Sequence, residues 1–365
     1  MRRTCFVTLG LGLAVAVLHA QVPGSRGDAL ILITLDGARV EEIFGGLDAG
    51  VLQSTLPAER RAEDHPLYRH LHAATPDERR ARLMPFFWTE LMTRHGSIAG
   101  NPRLNSSVTL ANRHRFSYPG YSEILLGRAD DDVIRSNDRV HNPHVTLLEE
   151  LKTRLALQTA DVAVFGSWEV FNEIAEHTPG NLTINAGYEA FDHAAEDVRA
   201  LSALQFETPT PWTSVRHDVY TFRFAMAHLQ AAKPRVLYLA LGETDDWAHD
   251  GRYDRVLEAY VRSDGYLREL WTWLQAQPEY RGRTHILITT DHGRGRTRKD
   301  WRSHGATIEG AQDVWMAFVS PSLARRGEWR NHAPLSTSQA AATMAAWLGI
   351  DWPSLRPGAG PRVHD

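Results

Sequence analysis

Short, uninterrupted apolar runs recur along this chain, and they limit its possible folds more than any other feature. The first run, Ala29–Leu35, lies between Gly27-Asp28 and Asp36-Gly37. A run of this length between turn residues is typical of a strand that is buried on both faces of a parallel sheet. Similar runs lie at 162–165, 236–241, 285–290 and 314–319. Each run predicts one strand of the same buried sheet.

Amphipathic segments lie between these runs. Residues 145–155 and 256–274 carry apolar side chains at helical spacing, and a further helix is predicted near 76–93. Strands that alternate with helices favour an α/β fold. We therefore predict a mainly parallel central sheet with helices on both faces. The weakly periodic stretch 178–215 predicts a small cap or loop insertion.

The first 20 residues have the features of a signal peptide. Arg2 and Arg3 are followed by the apolar run 5–18 and by His19-Ala20-Gln21, a plausible cleavage point. The alternative is a retained membrane anchor, but the run is short for a span of about 20 residues. We predict an exported protein, periplasmic or secreted, without a membrane span in the mature chain.

The remainder predicts a single catalytic domain over 21–352 and an extended tail, rich in Pro and Gly, over 353–365. A formal net charge of -4 gives no reason to expect a nucleic-acid-binding surface. The only cysteine, Cys5, lies inside the predicted signal peptide. Any metal ion in the mature chain would therefore need His, Asp, Glu or hydroxyl ligands.

Three predicted strands end in side chains that can bind metal ions. The candidates are Asp36, Asp245, His249, Asp291, His292 and the later His304. In open α/β sheets, sites lie at the carboxyl ends of the strands, so these residues should converge. Each alone is common as a turn, cap or surface residue, and their ordered combination indicates a site. Imidazole and carboxylate ligands suit zinc, with manganese or iron as alternatives.

These ligands divide into two groups that would hold two divalent ions. The groups are Asp36, Asp291 and His292 on one side, and Asp245, His249 and His304 on the other. Asp245 and His249 are four residues apart, which places them on one face of a helical turn. Two neighbouring ions can stabilise both the attacking and the leaving oxygen of an in-line displacement.

Ser117 is the candidate nucleophile. Pro119 suits an early helix position, so Ser117 would lie at or just before a helix N-terminus, where backbone N–H groups favour phosphate. The alternative is that Ser117 is an ordinary N-cap. Together with the metal ligands, its position favours a nucleophile. Ser122 is the rival hydroxyl, but it lies inside the predicted helix.

The order of these features resembles the alkaline phosphatase superfamily, in particular its type I phosphodiesterase or nucleotide pyrophosphatase-like and sulfatase-like branches. The resemblance extends from Ala29 to about Ser320. It implies two zinc ions and a covalent phospho-enzyme, with Ser117 joining Asp36, Asp291 and His292 at one ion. It also implies that Asn137 contacts a phosphoryl oxygen, whereas the alternative is a plain turn residue.

The chain departs from both branches. Ser117 and Gly120 stand where the phosphodiesterase pattern has Thr and Asn. Sulfatases need Cys or Ser followed by x-Pro-x-Arg for conversion to formylglycine, and Tyr121 replaces the Arg. Conversion of Ser117 is therefore disfavoured.

The leading hypothesis is a two-metal hydrolase of small-molecule phosphate esters, diester or monoester, that forms a phosphoserine on Ser117. The alternatives are a sulfatase-like sulfuric ester hydrolase and a non-catalytic binding protein with the same fold. A monoesterase needs an extra positive group for the third phosphate oxygen. The candidates are Arg113, Arg115, Arg294 and Arg296, although each is more typical of a solvated surface arginine.

Overall fold

The apolar runs form the strands of a central sheet in the computed structural model, which describes residues 27–324 and 326–364. The predicted signal peptide, residues 1–20, lies outside the described residues. The strands are β1 Ala29–Leu35, β2 Gly96–Ala99, β3 Val108–Thr109, β4 Val162–Gly166, β5 Thr183–Ala186, β6 Val236–Leu241, β7 Thr284–Thr289, β8 Asp313–Val314, β9 Met316–Val319, β10 Gly327–Glu328 and β11 Leu335–Ser336.

The helices alternate with these strands. They are α1 Val40–Gly45, α2 Ala49–Ser54, α3 Pro66–Leu71, α4 Pro76–Leu83, α5 Ser117–Leu126, α6 Leu147–Arg154, α7 Phe171–Ile174, α8 Glu196–Glu207, α9 Asp218–Ala232, α10 Glu243–His249, α11 Tyr253–Ala276, α12 Ala340–Trp347 and α13 Trp352–Leu355. A π-helix lies at Phe87–His95. Within the described ranges, none of the helices combines the length and apolar character that a membrane span requires.

Five neighbouring strands of the central sheet run parallel. The order across the sheet is β10-β2-β9-β7-β1-β6-β4-β5, and β7, β1, β6, β4 and β5 share one direction. In register, Leu35 of β1 lies opposite Leu241 of β6, and Thr34 opposite Thr289 of β7. Every residue of β1 is buried, which explains why its sequence shows no polar alternation. The predicted mainly parallel α/β fold is confirmed.

Helices cover both faces of this sheet. Ile31, Ile33 and Leu35 of β1 pack into a core with α1, α9 and α11. Leu30 and Leu32 point the other way, into a core with α5, α6 and α12. Successive strand residues alternate between faces, so one continuous apolar run supplies both cores.

Four segments differ from the sequence prediction. The run at 314–319 divides into β8 and β9, and β9 is antiparallel to β7 and β2. No helix lies between β7 and β9 in this described part of the chain, so the chain folds back beside β7 without a crossover. The helix predicted at 76–93 is interrupted at Met84, because the residue before a proline is disfavoured in the helical conformation and Pro85 has no N–H to continue the helix. The stretch 178–215 contributes the edge strand β5 and the helix α8 where we predicted a cap or loop. The tail predicted as extended begins with the short helix α13.

A buried carboxylate fixes α5 against two other segments. Glu123 is fully buried and accepts hydrogen bonds from the backbone N–H groups of Ala111 and Asn112, at 3.0 and 2.8 Å. It also accepts hydrogen bonds from the hydroxyls of Thr337 and Ser338. A buried charge needs this many donors to replace its lost hydration. Glu123 therefore anchors the helix whose first residue is Ser117.

We expect the substitution Glu123→Ala to destabilise the protein strongly. It leaves the buried donors of Asn112 and Thr337 without an acceptor, and each unsatisfied group costs about 1–3 kcal/mol. The free energy of unfolding, measured by urea denaturation, should fall by at least about 3 kcal/mol. The control Glu59→Ala, at an exposed position, should stay within about 0.5 kcal/mol of the parent. Equal stability of the two variants would contradict the anchoring role.

Candidate metal centre

Three adjacent strands of the central sheet end at the same place. Asp36 directly follows β1, and β7 is followed closely by Asp291 and His292. β6 leads into α10, which carries Asp245 and His249. Because β1 lies between β6 and β7, the three carboxylates emerge side by side at the carboxyl edge of the sheet.

His292 lies at the centre of this cluster. Its Nδ1 donates a hydrogen bond to the Gly293 carbonyl at 2.9 Å, so Nε2 carries the free lone pair. Nε2 is 3.4 Å from Asp36 Oδ1 and 3.5 Å from Asp291 Oδ2. It is also 3.6 Å from Asp245 Oδ1. His292 therefore borders both predicted groups of ligands, whereas the sequence assigned it to one.

The second group is completed by two histidines from different segments. His249 Nε2 is 3.1 Å from Asp245 Oδ2 and 3.1 Å from His304 Nε2. Nδ1 of His304 donates to the carbonyl of Arg115, at 3.3 Å, and Arg115 takes a positive φ of 55°. Burial next to His292 lowers the pKa of His304 to about 2, which keeps the imidazole neutral. Neutral imidazole is the form that binds metal ions.

Two buried carboxylate oxygens have no hydrogen-bond partner among the described residues. They are Asp36 Oδ1 and Asp291 Oδ2. The other oxygen of Asp291 accepts the N–H of Gly37 at 3.1 Å. A buried anionic oxygen without a partner is costly, and a cation removes that cost.

The electrostatics of the carboxylates also favour a cation. Burial, and then the charge of Asp245, raise the pKa of Asp36 well above its usual value. Burial and the charge of Asp36 do the same for Asp291. Ligand atoms within 4.8 Å of one another belong to the groups Asp36, Asp291, His292 and Asp245, His292, His304. The residues present therefore fit divalent metal ions with oxygen and nitrogen ligands.

Ser117 lies beside this cluster as the first residue of α5. The N-cap of α5 is Phe116, and the Ser117 side chain makes no capping hydrogen bond. Ser117 is therefore not the N-cap of this helix. Its Oγ is 3.5 Å from Nε2 of His292. Ser122, the rival hydroxyl, is buried and bonded to the side chain of Asn142 at 3.1 Å.

Asn137 lies at the same end of α5. Its Oδ1 accepts the backbone N–H of Tyr118 at 2.9 Å, next to Ser117. The residue is exposed. Asn137 does more than end a turn, because its side chain satisfies one of the free N–H groups at the helix N-terminus. The structure thus brings the six predicted metal ligands close to Ser117 and Asn137 at the N-terminus of α5, whereas Arg113 and Arg296 pair with other carboxylates.

Two neighbours of the site were missed or misjudged from the sequence. Tyr121 is fully buried, and its hydroxyl interacts with the carboxylate of Asp36. Arg294 is 1% exposed and pairs with the Asp245 carboxylate, so its expected place on the surface was wrong. Burial acts to raise the pKa of Asp245, but Arg294 and His249 hold this pKa well below its usual value. The sequence offered one indication that Arg294 lies near the site, because it directly follows Asp291-His292-Gly293.

Comparison with known proteins gives a likeness in structure only. No protein-family model matches the chain, and no curated protein does. The wild-type alkaline phosphatase PafA aligns with a TM-score of 0.59 and 10% identity, covering 93% of this chain and 98% of PafA. The phosphonate monoester hydrolase SpPMH from Silicibacter pomeroyi aligns with a TM-score of 0.54 and 12% identity, covering 93% and 76%. BT1596, a 2-O GAG sulfatase, gives 0.51 and 12%, also covering 93% and 76%. These three proteins share the fold of this chain.

Close packing of α5 against the β7 loop generates a stability prediction. A Cβ at Gly120 would lie 2.1 Å from the backbone oxygen of Asp291, so Gly120→Ala must push the helix away from the site. We expect a clear loss of stability in chemical denaturation. The matched control is Gly265→Ala in α11, where nothing lies within 4 Å of the new Cβ.

The control should gain about 0.5–1 kcal/mol, because alanine is favoured over glycine inside a helix. Opposite signs for these two glycine-to-alanine changes are the expected result. A Gly120→Ala variant as stable as the parent would show that α5 can move away from Asp291 at no cost.

Proposed function

We propose that this chain, whose fold is that of the alkaline phosphatase superfamily, is a metal-dependent hydrolase that cleaves phosphate esters with Ser117 as its nucleophile. One observation carries the proposal: side chains from three strand ends cluster with two further histidines, and His292 of this cluster lies 3.5 Å from a serine hydroxyl at a helix N-terminus. A non-catalytic binding protein would not need, beside the cluster, a buried serine whose hydroxyl makes no capping hydrogen bond. The likeness to an alkaline phosphatase and a phosphonate monoester hydrolase supports the same reaction class.

The proposed ligands follow the two groups of side chains. Asp36, Asp291 and His292, with Ser117, would hold one divalent ion, and Asp245, His249 and His304 the other. Carboxylate and neutral imidazole donors without thiolates suit Zn²⁺, with Mn²⁺ and Fe as alternatives. When bound, the ions supply positive charge to the phosphoryl oxygens and lower the pKa of a hydroxyl or water.

The chain itself supplies the nucleophile and its orientation. Ser117 Oγ loses its proton to solvent and attacks phosphorus in line, forming an O–P bond as the bond to the leaving oxygen breaks, and the leaving oxygen takes a proton from water. Water then attacks the phosphoserine, the Oγ–P bond breaks, the phosphate group is released and Oγ regains a proton. The N-terminus of α5 favours the negative charge of the phosphoryl group. Asn137 uses Oδ1 to hold the Tyr118 N–H, which leaves its amide nitrogen to donate to a phosphoryl oxygen. Glu123 and Gly120 keep the helix at the required distance.

Sulfate ester hydrolysis is the second candidate, because the 2-O GAG sulfatase BT1596 has the same fold. The local sequence favours phosphate. Tyr121 stands where the formylglycine motif needs Arg, and it is buried against Asp36. Ser117 would therefore act as an unmodified hydroxyl.

The substitution Ser117→Ala tests the nucleophile. It should lower kcat for a phosphate ester by at least about 10³-fold, because the covalent route is lost. Metal content, measured by mass spectrometry of the purified protein, should not change. The control Ser122→Ala removes a hydroxyl from the same helix and should leave turnover intact. Full activity of Ser117→Ala, or loss confined to Ser122→Ala, would reject the assignment.

The same preparation distinguishes phosphate from sulfate chemistry. Aryl phosphate monoester, aryl phosphodiester and aryl sulfate substrates are compared, and the Ser117 peptide is analysed after rapid acid quenching. We expect faster turnover of a phosphate ester and a peptide carrying phosphate on an otherwise unmodified serine. Faster turnover of the sulfate, or formylglycine at position 117, would favour the sulfatase.

The substitution Asn137→Asp isolates the role of the amide nitrogen. Aspartate keeps an oxygen for the Tyr118 N–H but replaces the donor with a negative oxygen facing the substrate. We expect kcat/KM for a phosphate ester to fall by about 10²-fold, with little change in melting temperature. Asp138→Asn, a charge change at the next exposed position, should have little effect. Unchanged activity of Asn137→Asp would make Asn137 a helix-capping residue alone.

A further inference from the structure

Arg294 is a buried cation inside a cluster that we propose to bind cations. Its Nη2 pairs with Oδ1 of Asp245 and donates to the Asp245 carbonyl at 3.1 Å. Nη1 donates to the carbonyl of Arg302, which fixes the far side of the guanidinium. Nε has no hydrogen-bond partner among the described residues. It packs against Gly37, where a Cβ would lie 2.8 Å away. Arg294 is therefore held in one position by its surroundings.

The ion pair with Arg294 gives the two carboxylate oxygens of Asp245 different partners. Oδ2 faces His249 at 3.1 Å, whereas Oδ1 faces Arg294. The guanidinium thus occupies the oxygen nearer to His292, which is 3.6 Å away. Asp245 can offer one oxygen to a metal ion, and its negative charge is already balanced.

The carboxylates of the other predicted group, Asp36 and Asp291, have no such arginine partner among the described residues. Asp36 Oδ1 and Asp291 Oδ2 have no hydrogen-bond partner in the described part of the chain, and their side chains are 8% and 0% exposed. His249 of the second group is 49% exposed. The first group is buried and has two carboxylate oxygens without a partner among the described residues, whereas the second includes the exposed His249 and a carboxylate that is paired with Arg294.

We propose that Arg294 is an internal counter-ion that makes the two metal positions unequal. The position at Asp36, Asp291 and His292 binds its ion tightly. The position at Asp245, His249 and His304 binds its ion weakly and exchanges it with solvent. A like charge a few ångströms from a divalent ion weakens binding by about tenfold or more even at the dielectric constant of water. The inference rests on the proposed two-metal function and adds to it a residue that acts through its charge.

A metal titration tests the proposal directly. Full-length protein is stripped with a chelator, and Zn²⁺ is added in competition with a chromophoric chelator. We expect two classes of site in the parent protein, separated by at least about tenfold in Kd. Arg294→Gln should tighten the weaker class by about tenfold or more, since the like charge is gone. Arg294→Lys retains the charge and should retain the difference.

The matched control is Arg296→Gln, the same change two residues further on. Arg296 is half exposed and pairs with Asp313 and Glu309. Its loss should leave both dissociation constants unchanged. An equal effect of Arg294→Gln and Arg296→Gln would overturn the proposal, because net charge and not position would then be responsible.

Melting of the metal-free proteins gives a second readout. Without Arg294 the carboxylates lack their counter-ion, so metal-free Arg294→Gln should melt below the metal-free parent, and Zn²⁺ should raise its melting temperature more. Two equal sites in the parent protein would overturn the inference. Loss of the weaker site in Arg294→Gln would do so as well, since Arg294 would then only orient Asp245. A parent protein that binds no divalent ion would instead reject the proposed function.

Discussion

The repulsion among three buried carboxylates is the constraint on which the rest of this structure depends. Asp36, Asp245 and Asp291 follow three adjacent strands, and the register of β1 with β6 and β7 forces them together. The strands themselves are fully buried, so the sheet cannot separate the carboxylates without losing its core. The negative charge of the carboxylates therefore has to be balanced by other groups that contact them. Most of the unusual local features nearby bring such groups into contact.

Those features act in different ways. His292 and His304 each donate Nδ1–H to a backbone carbonyl, which leaves Nε2 of His292 facing the carboxylates and Nε2 of His304 facing His249. Gly37 takes a positive φ that lets the β1 turn pass close to Asp245 and Arg294. Gly120 lets the N-terminus of α5, with its partial positive charge, contact the β7 loop. Together these contacts hold the carboxylates, the imidazoles and the N-terminus of α5 close to one another beside Ser117.

The likeness to solved structures separates fold from function. PafA, SpPMH and BT1596 act as an alkaline phosphatase, a phosphonate monoester hydrolase and a sulfatase, yet all share this architecture at 10–12% identity. Such a fold hosts several chemistries, so the reaction has to be argued from side chains at the strand ends. In this chain those side chains are Ser117 at the start of α5, Tyr121 buried near Asp36, and Arg294 paired with Asp245.

The sequence by itself determined the buried parallel strands, the long helix α11 and the residue types of the site. Each depends on local pattern: an apolar run marks a strand buried on both faces, and a carboxylate after it marks the carboxyl end of that strand. Tertiary structure alone decided that β9 runs antiparallel, that 178–215 joins the sheet edge, and that His292 borders both groups of ligands. It also decided that Arg294 is buried. The reason is that the burial of a charge depends on its counter-charge, and Asp245 lies 49 residues away in the chain. No local periodicity encodes that distance, so only the assembled sheet brings the two residues together.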